Sequence, residues 1–284
     1  MPQYSYRKAI KEAEHSLGLH GREKRIARLL AEDLFFLTSA EIILKSDEPM
    51  SQQEYDLYCE AVERVSAGEP YQYVVGFSWF YGEKFKVTAD TLIPRNETEE
   101  LVMFVLDEEA DNGQTAVDIG TGTGVIPVTL QKHWNNNKVC ATDISQAAIE
   151  VAKENCDSHD ADIIFYEGDL YAPLIQNEIK ADIIISNPPY ISKDDVSIMT
   201  PSVIEHEPHQ ALFAEDDGLE IYKRLIDGLE DVLHYGGRVY CEIAFNQKES
   251  LLKYLLKRWP ETKHFGVRKD INKQDRILYF TWEG

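Results

Sequence analysis

Apolar residues recur at helical spacing through the first seventy positions, as at Ile26, Leu29, Leu30 and Leu34 within 22–36. Thr38-Ser39-Ala40-Glu41 and Ser51-Gln52-Gln53-Glu54 each place a hydroxyl three positions before a glutamate, the reciprocal cap that opens a helix. The pattern predicts a small helical bundle over 1–70, ended by Gly68-Glu69-Pro70. From Tyr71 to Val87 the texture shifts to Tyr, Val, Phe and Trp with glycines at Gly76 and Gly82, so 71–95 reads as a β-hairpin linker. A helix is then expected with Asn96 as its N-cap and Glu99 three positions on.

Over 96–284 short apolar runs alternate with amphipathic stretches. The runs at 115–119, 138–142, 161–165, 181–186 and 237–244 predict strands, with helices near 125–133, 145–155 and 219–233. Such alternation predicts an α/β fold, a mostly parallel sheet covered on both faces.

Composition narrows the setting. No apolar run approaches the ~20 residues of a membrane span, and the first residues carry no apolar signal core, so the expectation is a cytoplasmic protein. Cys59, Cys140, Cys156 and Cys241 are scattered with no Cys-x-x-Cys pair, and Cys140 and Cys241 fall inside apolar runs. A net charge of -21 over 284 residues repels phosphate backbones, which argues against direct nucleic-acid binding and for a basic protein partner.

Ala116-Val117-Asp118-Ile119-Gly120-Thr121-Gly122-Thr123-Gly124-Val125 is a strand running into a glycine-rich turn and a helix. In open α/β sheets ligands bind beyond the carboxyl ends of the strands, where this turn lies. A dinucleotide fingerprint would need a third glycine at position 125 or 127, where Val125 and Pro127 stand. The Asp-x-Gly-x-Gly-x-Gly that remains resembles the first motif of class I methyltransferases. Asp118, Gly120, Thr121, Gly122, Thr123 and Gly124 would then cradle the methionine half of S-adenosylmethionine, with a carboxylate near its ammonium. Asp143 closes the second strand and can accept both ribose hydroxyls. Asp169, in Glu167-Gly168-Asp169-Leu170, can accept from the adenine amino group.

Ile183-Ile184-Ile185-Ser186-Asn187-Pro188-Pro189-Tyr190 brings a second loop to the same edge. Two prolines stiffen it and donate no N–H. An amide or aromatic-amine nitrogen is a poor nucleophile because its lone pair is delocalised. The Asn187 side-chain oxygen and the Pro188 carbonyl can each accept one N–H, holding the nitrogen with its lone pair toward a methyl donor. Tyr190 offers a flat surface for a planar amide. Asn187, Pro188 and Tyr190 are thus the expected catalytic residues, and Asn187 to Tyr190, with Pro189, the expected substrate clamp. Asn-Pro-Pro-Tyr serves adenine-amino methylation of nucleic acid as well as glutamine methylation, so it indicates the reaction better than the substrate.

With these motifs the chain resembles the release factor glutamine methyltransferases (the HemK/PrmC family). The resemblance rests also on Gly68-Glu69-Pro70-Tyr71-Gln72-Tyr73-Val74-Val75-Gly76 and on Ile93-Pro94-Arg95-Asn96-Glu97-Thr98-Glu99. It extends to Glu207-Pro208, Ala211-Leu212, Asp217-Gly218-Leu219, Lys269-Asp270 and Asp275-Arg276. It implies a Rossmann-like, seven-stranded class I methyltransferase domain over 96–284 behind the helical bundle. It further implies S-adenosylmethionine as cofactor, S-adenosylhomocysteine as product, and class I peptide chain release factors as substrates, methylated in their Gly-Gly-Gln loop. Cofactor contacts are implied at Gly120 to Gly124, Asp143 and Asn187. Asn96 stands where the family has proline, and Leu170 where some members carry an aromatic residue against adenine. Two other acceptors stay open on the residues alone: a large-subunit ribosomal protein and nucleic-acid adenine. Glu205-His206-Glu207-Pro208-His209 is not expected to bind metal, because Pro208 prevents a regular helix.

Overall fold

The computed structural model describes residues 4–192, 196 and 199–284. They fall into two compact units: one runs to Phe77 and takes in Thr200–His206, the other comprises Ser78–Met199 and Glu207–Gly284.

The first unit is helical: α1 Tyr6–Leu19, α2 Arg25–Leu34, α3 Ser39–Leu44, α4 Gln52–Ala67 and α5 Tyr71–Val75. Tyr6, Ala9, Ala13 and Leu17 of α1, Ala27, Leu30 and Ala31 of α2, and Tyr58, Ala61, Val62 and Val65 of α4 form one core. The small alanines let the helices approach closely, and the Tyr58 hydroxyl finds the Ala27 carbonyl at 2.7 Å. Both expected capping boxes are present, on Thr38–Glu41 and Ser51–Glu54. The hairpin expected over 71–87 starts later than predicted. Tyr71–Val75 is a turn of helix, entered from Pro70 and ended by left-handed Gly76. The helix Pro201–His206 joins this unit, with the Ser202 hydroxyl donating to the Gly68 carbonyl at 2.7 Å.

The hairpin β1 Phe77–Phe80 and β2 Glu83–Lys86 starts on the last residue of the first unit's main segment and otherwise belongs to the second, where α6 Asn96–Glu108 follows. Arg95, extended at φ -110, occupies the cap position expected of Asn96, which is the first helical residue. Glu99 cannot reach back as a cap because it accepts from the Tyr81 N–H at 2.8 Å. Then come β3 Thr115–Ile119, α7 Val125–His133, β4 Lys138–Asp143, α8 Gln146–Ser158, β5 Ile163–Glu167, α9 Ala172–Gln176, β6 Ala181–Ser186, β7 Leu233–Glu242, β8 Lys263–Lys269 and β9 Asp275–Thr281.

The seven strands lie in the order β5-β4-β3-β6-β7-β9-β8, parallel from β5 to β7, with β9 antiparallel to both neighbours. This is the seven-stranded α/β fold expected. The predicted helix over 219–233 is broken at Gly228 into Glu220–Asp227 and Leu229–Val232. A Cβ at Gly228 would sit 2.8 Å from the Tyr171 ring.

Alternate residues of each central strand feed two cores. Val117, Ile119, Ile184, Val239 and Cys241 face one, and Ala116, Ile183, Ile185 and Tyr240 the other. Ile183, Ile184 and Ile185 are fully buried, each worth ~1.5–3 kcal/mol over an exposed position. A strand buried on both faces has nowhere to slip, and this rigidity positions the loop that follows it.

Candidate active site

The strand order reverses between β3 and β6, and there the turns after β3, β4, β5 and β6 converge on a cleft of about 240 Å³. Ile119 pairs with Ser186, and Asp143 with Glu167. The glycine turn therefore leaves the sheet beside Asn187, and Asp143 beside Gly168-Asp169-Leu170.

Gly120, Thr121, Gly122, Thr123, Asp143, Asp169, Leu170, Asn187, Pro188 and Pro189 all line this cleft. Asp118, Gly124 and Tyr190 do not. Gly124 lies at φ 79, and a Cβ there would meet the Cβ of Ala152 at 3.0 Å, so its role is to let α8 approach the turn. On that helix the buried Asn155 donates to the Thr123 carbonyl at 2.9 Å and the Lys86 carbonyl at 3.0 Å. Asn155 thereby ties the hairpin to the glycine turn.

Asp118 is 1% exposed on β3, two residues before Gly120, and among the described residues only the Thr121 hydroxyl comes near its carboxylate, without a well-formed hydrogen bond. Burial pushes this carboxyl up to about 7, with the Thr121 hydroxyl opposing and the Asp143 charge adding. Among the described residues no cation pairs with this carboxylate, and an ammonium over the glycine turn would supply one. Asp143 accepts from the Gly122 N–H at 2.8 Å and the Ser145 N–H at 2.9 Å, and burial raises its pKa. Each of its oxygens keeps a lone pair for a diol. Asp169 is held by Arg224, which also lines the cleft. Leu170 adopts φ 49, and its carbonyl accepts from the Thr142 hydroxyl at 3.2 Å. The chemistry of these residues suits S-adenosylmethionine: Asp143 and Asp169 on the cleft could accept from ribose hydroxyls and an adenine amino group, Leu170 could cover the ring, and Asp118, behind the glycine turn, could offset an ammonium.

On the catalytic side the Asn187 amide nitrogen donates to the Thr98 hydroxyl at 3.0 Å. The Asn187 oxygen receives no hydrogen bond from the described residues. Tyr190 turns its ring to the core and its hydroxyl to Glu242, 3.4 Å away.

A family model described as the methyltransferase small domain matches residues 97–218, and one described as the PrmC N-terminal domain matches residues 8–76. The chain is 40% identical over 278 residues to the release factor glutamine methyltransferase of Staphylococcus aureus (strain NCTC 8325 / PS 47), spanning 98% of this chain and 99% of that one. It belongs to the release factor glutamine methyltransferase family. The Bacillus subtilis (strain 168) relative of the same name is 37% identical over 275 residues, 95% of each chain. A solved methyltransferase from Pyrococcus furiosus has the same fold, with TM-score 0.50 and 20% identity over 72% of this chain and 91% of that one.

The remaining segments that carry the family resemblance in the second unit gather around the Asn-Pro-Pro-Tyr loop. Glu207, 4% exposed, accepts the Arg95 guanidinium on both oxygens at 2.6 and 2.8 Å. The Glu-His-Glu-Pro-His stretch thus spends its second glutamate on an ion pair. Left-handed Gly218 packs so tightly on the Tyr190 carbonyl that a Cβ would fall 2.0 Å from it. Gln247 donates to the carbonyls of Tyr190 and Gly218, each at 3.2 Å. Asp270 accepts from Arg276, whose charge opposes the raised pKa of Tyr190 and of Glu242. Arg224, Asn155, Gln247 and Glu242 belong to no motif, and Thr98, inside the Ile93–Glu99 segment, has no role legible from that segment alone. Each gains its partners only when the sheet places it.

Proposed function

We propose that this enzyme transfers a methyl group from S-adenosylmethionine to the side-chain amide nitrogen of the glutamine in the Gly-Gly-Gln loop of a class I peptide chain release factor, leaving S-adenosylhomocysteine. The observation that carries this reading is the register of Ile119 with Ser186, which sets a cofactor-type glycine turn and an amide-accepting Asn-Pro loop on one cleft. The names of the family's members support release factors over a ribosomal protein or nucleic acid. The charge of -21 supports a basic protein acceptor.

When bound, the cofactor supplies an electrophilic methyl group on a sulfonium sulfur. Asp143 and Asp169 would hold its ribose hydroxyls and adenine amino group, Leu170 would cover the ring, and the Asp118 charge behind the turn would favour its ammonium. The Asn187 oxygen and the Pro188 carbonyl each accept one N–H of the acceptor amide. The planar amide is thereby held with the face that carries its lone pair toward the methyl group. Such positioning supplies several kcal/mol, on the order of what well-placed acceptors give elsewhere. On receiving the methyl group the acceptor nitrogen would gain positive charge and afterwards give up one of its two N–H protons to solvent. Carbonyl oxygens facing that nitrogen stabilise the growing charge. Tyr190 contributes by bracing the loop through its carbonyl and hydroxyl contacts.

A glutamine side chain alone offers few contacts, so recognition must come from surface away from the reacting atoms. The N-terminal helical unit is the proposed source of that surface. The protein incubated with methyl-labelled cofactor and, separately, a release factor, a large-subunit ribosomal protein and DNA should label the release factor alone. Peptide mass spectrometry should find one added methyl group on the Gly-Gly-Gln peptide. Label on either other acceptor, with none on that peptide, would overturn the reading.

A further inference from the structure

Asparagine is a symmetric-looking side chain with asymmetric chemistry. If its amide is turned over, it presents two donors where an acceptor is required. The clamp just proposed works only if the Asn187 oxygen, not its nitrogen, meets the substrate N–H, and the inference below rests on that reading. Nothing in the Asn-Pro-Pro-Tyr loop itself selects this orientation.

The selection comes from two residues on other elements. Thr98, in the first turn of α6, is 3% exposed, and Glu242, at the end of β7, is 1% exposed. The Thr98 hydroxyl lies 2.7 Å from Glu242 Oε2 and 3.0 Å from the Asn187 amide nitrogen. A hydroxyl has one hydrogen, and an ionised carboxylate has none to give. The Thr98 hydrogen therefore goes to Glu242, and the Thr98 oxygen can only accept. The atom of Asn187 facing it must then be the nitrogen. We infer that Thr98 and Glu242 are positioning residues that lock the Asn187 amide with its nitrogen on Thr98 and its oxygen toward the acceptor amide.

Several groups hold the far end of this relay. The Tyr190 hydroxyl donates to Glu242 Oε1 at 3.4 Å, and the Tyr222 hydroxyl donates to the Glu242 backbone carbonyl at 2.5 Å. Burial raises the Glu242 carboxyl, the Thr98 hydroxyl and the Arg276 charge from β9 oppose the rise, and Glu97 from α6 adds to it. The balance is about 7, so above that pH the carboxylate is ionised and the relay is set. A protonated Glu242 can donate to Thr98, which frees the Thr98 hydrogen and lets Asn187 turn.

Two measurements at pH ~8 test this in the intact protein. Thr98→Val keeps the shape and removes the hydroxyl, whereas Thr98→Ser restores it. On release factor, Thr98→Val should lower kcat about tenfold or more while the cofactor Kd moves by less than about threefold, and Thr98→Ser should recover most of the rate. The second measurement needs no substrate. In nitrogen-15 spectra the side-chain amide pair of Asn187, assigned by its loss in Asn187→Asp, should show a hydrogen-bonded shift in wild type and Thr98→Ser. That shift should disappear in Thr98→Val, and in wild type as the pH falls below about 6. If wild type labels no release factor, the functional reading fails while the spectra still decide the relay. A folded Thr98→Val protein with an unchanged amide shift, or with wild-type kcat where wild type is active, would overturn the inference.

Discussion

The Ser186 hydroxyl donates to the Ile119 carbonyl at 2.7 Å, joining the last residues of two neighbouring parallel strands. Beyond Ile119 the chain enters the glycine turn, and beyond Ser186 it enters Asn187 and the two prolines. The bond therefore ties the methyl donor's side of the cleft to the acceptor's side. Ser186→Ala removes one buried hydrogen bond, worth about 1 kcal/mol. The expected drop in Tm is ~2–4 °C for a unit of this size, measured by calorimetry. The loss in kcat should exceed what that small destabilisation explains, because a displacement well under an ångström between the two loops is felt directly in methyl transfer.

Asp118 links cofactor binding to pH. Its folded pKa, raised to about 7, lies above the ordinary 3.8, so its contribution to stability is fully present below 3.8 and lost as pH rises through about 7. A cationic ligand favours the ionised form. Binding of S-adenosylmethionine below pH 7 should therefore release a proton, and affinity should rise by up to roughly tenfold per pH unit between 5 and 7. Calorimetry in buffers of different ionisation enthalpy reads that proton. Asp118→Asn should abolish the pH dependence, weaken the cofactor and make the free protein more stable than wild type at pH ~8. A pH-independent affinity in wild type would show that Asp118 does not face the ammonium.

Asn187→Ala should leave the fold intact and the cofactor bound, since the side chain is only half-buried and its one hydrogen bond among the described residues goes to Thr98. Turnover should fall well beyond tenfold. A variant keeping more than about a tenth of the rate, a loss below ~1.4 kcal/mol, would be incompatible with the clamp.

Gly218 supports the catalytic loop by close contact. A Cβ there would lie 2.0 Å from the Tyr190 carbonyl oxygen at a φ of +78, so Gly218→Ala must move backbone. The expected cost is about 2 kcal/mol or more in chemical denaturation, with kcat reduced and cofactor affinity nearly kept. Gly82→Ala is the control: its φ is also +78 but a Cβ meets nothing within 4 Å, so only the ~1 kcal/mol of left-handed strain is expected.

Much of this is legible in the sequence where its determinants are local. Capping needs a hydroxyl and a glutamate three residues apart, and both boxes formed on Thr38 and Ser51. A strand buried on both faces is apolar throughout, and 115–119 and 181–186 emerged with the bounds their runs predicted. The glycine turn and the Asn-Pro-Pro loop are short contiguous strings whose chemistry travels with them. The pattern was weaker where burial is partial. β8 has no buried residue, so nothing in its alternation marks it as a strand, and it forms because β9 offers an edge. Within the hairpin Trp79 stays 57% exposed, while Phe80 and Phe85 are fully buried.

By itself, then, the sequence determined the helical character of the first residues, the α/β class of the rest and the strand–turn–helix around the glycines, because each depends on neighbours a few positions away, whereas the return of Thr200–His206 to the first unit was not legible there. Only the tertiary structure decided which partners complete them. Arg224 meets Asp169 from 55 positions on, Glu207 meets Arg95 across 112, and Glu242 meets Thr98 across 144. A single threonine or glutamate has no local signature of such a pairing. The partnership follows from strand order and register, which bring distant chain together at the one edge where the sheet reverses.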